Sequence, residues 1–190
     1  MILETPRLLL RRFQPGDAAA FAAYRSDPEV ARYQSWTAPV PAAEAAALVR
    51  DLADGDPAQP GWFQYAVEVR AGGGLAGDVG VNLHENLMQA ELGFTLAPQW
   101  QGQGYASEAV RAVLRDLFSR RGLHRVSAEC DARNFRSARL LERAGFLQEG
   151  CRPEFSWFKG EWTDDLLFGL LASRWTQLTA QAPRGFPPES

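Results

Sequence analysis

Between Phe94 and Ala106 the chain reads Phe94-Thr95-Leu96-Ala97-Pro98-Gln99-Trp100-Gln101-Gly102-Gln103-Gly104-Tyr105-Ala106, an extended run that breaks at Pro98 and passes two glycines into a helical pattern. The first turn of a helix leaves several N–H groups without intrahelical acceptors, and the aligned peptide dipoles add partial positive charge there. Glycine at positions 102 and 104 lets a bulky anion approach the main chain. The chemistry this stretch suits is the binding of a phosphate or pyrophosphate.

Three kinds of phosphate loop compete, and the residues separate them. A P-loop needs a lysine directly after its glycines, whereas the single lysine of the chain is Lys159. A dinucleotide fingerprint needs a third glycine, but the frame from Gly102 runs Gly102-x-Gly104-x-x-Ser107 and no βαβ unit precedes it. Gly72-Gly73-Gly74-Leu75-Ala76-Gly77 matches that fingerprint literally, yet another strand follows it, so it reads as a hairpin turn. The remaining pattern is Gln101-x-x-Gly104-x-Ala106.

That pattern resembles the (Gln/Arg)-x-x-Gly-x-(Gly/Ala) loop of the GNAT N-acetyltransferases. Two further stretches carry the resemblance: Asn134-x-x-Ser137-x-x-Leu140 with Glu142-Arg143-Ala144-Gly145-Phe146, and Glu91-Leu92-Gly93-Phe94 upstream. Glu4-Thr5-Pro6-Arg7-Leu8-Leu9-Leu10-Arg11 and the run from Trp100 through Ser107-Glu108-Ala109 narrow it to the branch resembling the ribosomal-protein N-terminal (alanine/serine) acetyltransferases. The likeness spans about residues 2 to 175.

The resemblance implies acetyl-CoA as cosubstrate and direct attack by a primary amine in a ternary complex. The amine is that of a protein N-terminus or of a small molecule. It implies that Gln101, Gly102, Gln103, Gly104, Tyr105 and Ala106 cradle the pyrophosphate, and that Phe94, Thr95 and Leu96 bond pantetheine through their main chain. A backbone N–H near Gly93 and Phe94 then polarises the thioester carbonyl. Asn134 lies near the coenzyme in that picture, although it is equally suited to capping the helix that follows it. Ser137 is either the donor of a proton to the departing thiolate or a plain first-turn residue. Glu91 is either the group that draws a proton from the acceptor amine through water or an ordinary strand carboxylate. Trp36 and Trp157, from an early loop and a late hairpin, are candidate walls of the acceptor pocket, with packing as the alternative. Two further readings stay open: a polyamine- or aminoglycoside-detoxifying enzyme, and a coenzyme-sensing module without turnover.

The elements that must position these residues follow from periodicity. Leu8 to Phe13 predicts a first strand, Ala18 to Arg25 and Pro41 to Leu52 predict helices, and Trp62 to Arg70, Leu75 to Leu83 and Gln89 to Leu96 predict an antiparallel meander. Ala106, Ala109, Val110, Val113, Leu114, Leu117 and Phe118 recur at helical spacing as far as Gly122. Val126, Ala128 and Cys130 alternate as a strand, Ser137 to Ala144 predicts a short helix, and Glu154 to Phe158 pairs with Asp165 to Leu171. The pattern describes a mixed α/β fold, a sheet with helices on its faces. The resemblance sharpens this to a mostly antiparallel sheet of about seven strands, splayed in the middle. Residues 1–178 are expected to form one domain and 179–190 a flexible tail.

At 190 residues, 46% of them hydrophobic, the chain closes one substantial core. With no apolar run approaching the roughly 20 residues of a membrane span and no leader pattern, a cytoplasmic protein without membrane contact is expected. Cys130 and Cys151 lack the spacing of metal ligands or of a disulfide framework, so reduced thiols and no metal are expected. Alternation places Cys130 in the core, which argues against an acyl-cysteine route. His84 and Glu85 read as surface turn residues. Residues 101 to 152 hold ten arginines and six acids, a net +4, so the rest of the chain carries −7 against the overall −3. An anionic ligand suits the first region and a cationic one the remainder; the overall acidity argues against a nucleic-acid partner. The reading leaves room for a homodimer.

Overall fold

The computed structural model describes residues 3–181. One sheet of eight strands runs through the molecule in the order β1-β2-β3-β4-β5-β6-β8-β7. The strands are β1 (Leu3–Glu4), β2 (Leu8–Arg11), β3 (Gly61–Val69), β4 (Leu75–Leu83), β5 (Gln89–Leu96), β6 (Arg125–Asp131), β7 (Leu147–Phe158) and β8 (Glu161–Leu171). The helices are α1 (Ala18–Arg25), α2 (Pro28–Ala31), α3 (Ala42–Ala53), α4 (Tyr105–Arg115), α5 (Phe135–Ala144) and α6 (Ala172–Gln181). The eighth strand, beyond the seven expected, is β1: Thr5-Pro6 turns the chain back so that Leu3 pairs with Leu10. Two residues are too few to show an alternation in sequence.

Four other elements depart from expectation, the first being β7, which begins at Leu147 rather than near Glu154 and pairs with β8 from Leu147↔Gly169. Asp27 accepts from the N–H groups of Glu29 and Val30 ahead of Pro28, an N-cap that starts the short α2. Helix α4 ends at Arg115 and continues as a wider turn over Asp116–Arg120, where buried Asp116 draws in Arg121 (2.7 Å). Helix α6 was not expected. Its Trp175 stacks on Phe118 at 5.8 Å, and it carries residues 179–181, assigned above to the tail, as helix. The rest of the proposed tail, 182–190, lies outside the described residues.

Every neighbouring pair of strands is antiparallel except β5 and β6. That parallel pair holds register only over Gln89↔Arg125, Ala90↔Val126 and Glu91↔Ser127, and then the strands part. On its other side β5 stays paired with β4 from Ala90↔Leu83 to Leu96↔Gly77. Alternation of side chains sends Ala90, Leu92, Phe94 and Leu96 to one face, where α4, α5 and α6 close the larger core with Val126, Ala128, Phe168 and Leu170. Helices α1 and α3 close a smaller core on the other face with Phe13, Phe21, Ala66 and Ala97. Helices thus cover both faces, while β5 is anchored along β4 and free along its splayed edge.

Gly77 fixes that anchor, since a Cβ there would overlap the Thr95 carbonyl oxygen and lie 2.9 Å from the Leu96 Cα. Gly77→Ala is therefore expected to lower stability by about 1–3 kcal/mol through overpacking, read from the midpoint of chemical denaturation. A midpoint equal to wild type would show that β5 yields without cost.

Candidate active site

The splay begins directly after Glu91. Gln89 directs its carbonyl to the His84 N–H of the β4 side, so the alternate residues Phe94 and Leu96 turn theirs toward the gap. Side chains have taken up these exposed carbonyls. Gln34 Nε2 donates to Phe94 at 3.5 Å and Gln101 Nε2 donates to Leu96 at 2.8 Å. The Thr95 side chain is buried, and by the same alternation its main chain faces β4. Gly93, opposite Gly80, has open space where a Cβ would stand, so the floor of the gap carries no side chain at that point.

The loop beside the gap opens α4. Gly102 (φ 74°) and Gly104 (φ 83°) both take the left-handed conformation that glycine adopts without strain. Gly104 is the N-cap and its carbonyl receives the Glu108 N–H, the first bond of the helix. Tyr105, Ala106 and Ser107 thus sit in the first turn, whose N–H groups have no intrahelical acceptor. Gln103 folds back onto the Gln99 carbonyl (2.7 Å), and Tyr105 packs edge-on against Trp100 with centroids 5.6 Å apart. The Gln101 carboxamide also accepts from Arg136 at 3.3 Å, which ties the loop to the start of α5. Room at the glycines, first-turn N–H groups and Arg136 fit an anion such as a pyrophosphate.

Across the gap, Asn134 caps α5 by accepting the Ser137 N–H at 3.2 Å. Ser137 is half-buried, and among the described residues its Oγ has no hydrogen-bond partner. Glu91 is half-buried at the vertex, cross-strand from Asn82 and Ser127. Burial raises its pKa, and the nearby Glu129 carboxylate raises it further. Arg152 bonds Glu129 and stacks on Phe155 at 3.8 Å.

The two tryptophans part company. Trp36 donates its indole N–H to the Arg25 carbonyl (2.9 Å) and lies against the Arg25 guanidinium at 4.0 Å, packed on the smaller core. Trp157 is 63% exposed near the tip of the β7–β8 hairpin and touches Trp162 (5.3 Å). What joins their elements is a strap formed by residues 31–36. The Lys159 ammonium donates to the Ala31 carbonyl, Tyr33 Oη to the Arg133 carbonyl (3.4 Å), and Gln34 to Phe94. The strap thereby crosses the splay from the hairpin to β5. Its polar residues carried no periodic signal, and nothing in the sequence singled out Gln34.

Cys130 is half-buried rather than fully in the core. Burial, with Asp131 and Asp165 nearby, pushes its thiol up to about 11, away from thiolate chemistry. Among the described residues no three His, Cys, Asp or Glu side chains cluster as a metal ion would need, and no helix is long and apolar enough to cross a membrane.

The splayed sheet with its glycine-opened helix has relatives among known proteins. Residues 7–147 match the Acetyltransferase (GNAT) domain model. An uncharacterized N-acetyltransferase of Bacillus subtilis, YnaD, is 31% identical over 92% of this chain and 99% of its own length. The Escherichia coli [ribosomal protein uS5]-alanine N-acetyltransferase is 35% identical over 45% of this chain and 44% of its own. Among solved structures, a GNAT acetyltransferase from Bacillus anthracis superposes with a TM-score of 0.83 at 26% identity, covering 91% of this chain and 99% of that one. The chain belongs to the GNAT family of acetyltransferases. It is an acyltransferase, and its family uses acetyl-CoA.

Loss of the Asn134 cap in Asn134→Ala is expected to cost about 1 kcal/mol. For a domain of this size that lowers Tm by about 2–4 °C, measurable by calorimetry. An unchanged Tm would mean that the Ser137 N–H finds an equal partner elsewhere.

Proposed function

We propose that this chain transfers the acetyl group of acetyl-CoA to the primary amine of a protein N-terminus, by direct attack in a ternary complex in the cytoplasm. The observation that carries the reading is the opening of the β5–β6 splay immediately beyond Glu91, beside the glycine-opened start of α4. The loop Gln101–Gly102–Gln103–Gly104–Tyr105–Ala106 holds the pyrophosphate against first-turn N–H groups, and Phe94 and Leu96 offer main-chain bonds to pantetheine along the gap. Bound there, acetyl-CoA supplies the activated acetyl group. The N–H of Phe94, on the gap side of β5, serves the thioester carbonyl. Asn134 sets the start of α5, and Ser137 Oγ, unengaged in the fold, is the proton donor for the leaving sulfur.

Glu91 receives the acceptor's proton, directly or through water. It must be ionised to do so, and its pKa is raised by burial and by Glu129. Activity therefore falls as pH drops through a range above that of ordinary carboxylates. An α-amine, with a pKa near 8, is closer to its reactive neutral form at neutral pH than an alkyl amine near 10. This favours a protein N-terminus. A small polycationic amine is the second reading, supported by the proximity of the Glu91 and Glu129 carboxylates. Trp157, exposed on the hairpin, stands at the entry for either acceptor, and Trp36, at the end of the strap, backs that side through its contacts with Arg25.

Thiol release from acetyl-CoA, measured with a panel of peptides bearing free Ala or Ser N-termini and of polyamines, tests the assignment. Faster turnover with the peptides is expected. Preference for polyamines would establish the second reading, and no turnover with any amine would overturn both.

Glu91→Gln keeps size and hydrogen-bonding capacity but removes the base. With the preferred acceptor, kcat/KM is expected to fall about 10- to 100-fold, at the low end of general-base contributions. The loss should shrink as pH rises and free amine accumulates, and the acidic limb of the wild-type profile should vanish. Matching profiles for variant and wild type from pH 6 to 9 would return Glu91 to a structural role.

A further inference from the structure

The two sequence stretches that mark this branch of the family, around Arg7 and around Glu108, lie about a hundred residues apart and meet at one point in the fold. Glu108 stands in the first turn of α4, four residues beyond Gly104. Its carboxylate accepts from Thr5 Oγ1 (2.6 Å), from the Arg7 N–H (3.0 Å) and from Arg7 Nε (2.6 Å). Arg7 also donates through Nη1 to the Gln103 carbonyl at 3.0 Å, and its guanidinium covers the Tyr105 ring at 4.4 Å. Arg7 Nη2 lies 3.4 Å from the position a Cβ on Gly104 would take. The turn is itself held in place, because the Arg70 N–H donates to the Arg7 carbonyl (2.9 Å) and the Arg70 side chain to the Thr5 carbonyl (3.0 Å).

A carboxylate in a first helical turn stabilises the helix but draws on the same positive potential as an anionic ligand. Left bare beside the loop, Glu108 would repel a pyrophosphate. Its surroundings prevent this: burial pushes its pKa up, but the bonds from Thr5 and Arg7 outweigh that and hold it ionised and paired. We propose that Arg7 is a positioning residue of the coenzyme site, which cancels the Glu108 charge and thereby keeps the first-turn N–H groups of α4 open to the phosphates of the coenzyme. This rests on the reading of the 101–106 loop as the pyrophosphate site.

Calorimetry with CoA as the probe tests it. Arg7→Ala leaves Glu108 with no cationic partner and is expected to weaken CoA binding about tenfold or more, the scale of one unit charge several ångströms from another. The deficit should narrow at high ionic strength, since screening acts on charge and not on shape. Glu108→Gln in the Arg7→Ala background removes the repulsion and should restore binding to within about threefold of wild type. Arg7→Lys keeps the charge but not the fork, and should bind more tightly than Arg7→Ala; if Arg7→Ala does not fold, Arg7→Gln, which removes the charge but keeps hydrogen-bonding capacity, should show the same salt-sensitive deficit. Wild-type binding by Arg7→Ala would overturn the inference. So would a double variant as weak as the single one, or a deficit indifferent to salt. If the wild-type protein itself bound no CoA, the fault would lie with the reading of the loop.

Discussion

The structure turns on how briefly β5 and β6 stay together. Parallel pairing lasts three residues, and from Leu92 onward β5 has a partner on one side only. Unpaired main-chain groups inside a protein are costly and are nearly always satisfied by something. Here the Phe94 and Leu96 carbonyls are met by the carboxamides of Gln34 and Gln101, from a loop on one side and the glycine turn on the other. A hydrogen bond between neutral side chain and backbone contributes only about 1 kcal/mol net. An incoming ligand with amide groups of its own can therefore replace these bonds at little cost. The gap is thus kept intact without being locked.

Charge is distributed to match. Arg136 at the start of α5 reaches Gln101 at the loop end of the gap, while the Glu91 and Glu129 carboxylates lie near each other at the β5–β6 end. Many of the cations are committed in pairs, Arg133 to Asp131 and Glu161, Arg152 to Glu129 and Asp165, Arg125 to Glu149. Such exposed pairs add little stability singly. One of them, Arg133 with Glu161, does tie the β7–β8 hairpin to the turn before α5.

Most of this architecture is written in local sequence. The meander announced itself through alternation at Leu75–Leu83, the long helix through its spacing of apolar residues, and the loop through Gly102 and Gly104. What sequence hid was made by tertiary contact. Strand β1 exists because Leu3 meets Leu10, and α6 because Trp175 has Phe118 to stack on. The roles of Glu91 and Ser137 belong to the proposed function; within the candidate site, the capping of α5 by Asn134 was legible from motif position. The strap was not, since Tyr33, Gln34 and Lys159 act through side chain to carbonyl bonds that span between 60 and 128 residues. Such bonds leave no period to read.

Lys159 is the only lysine in the chain, every other basic side chain of fixed charge being arginine. Its ammonium is committed to the Ala31 carbonyl, and burial lowers its pKa. A protein that handles activated acyl groups is in this way left with a single side-chain amine to self-modify, placed where an acyl cap would cut the tie between hairpin and α2. The same scarcity makes the molecule unusually addressable. An amine-selective reagent meets one lysine, so a label placed by it marks the junction of the strap and the hairpin.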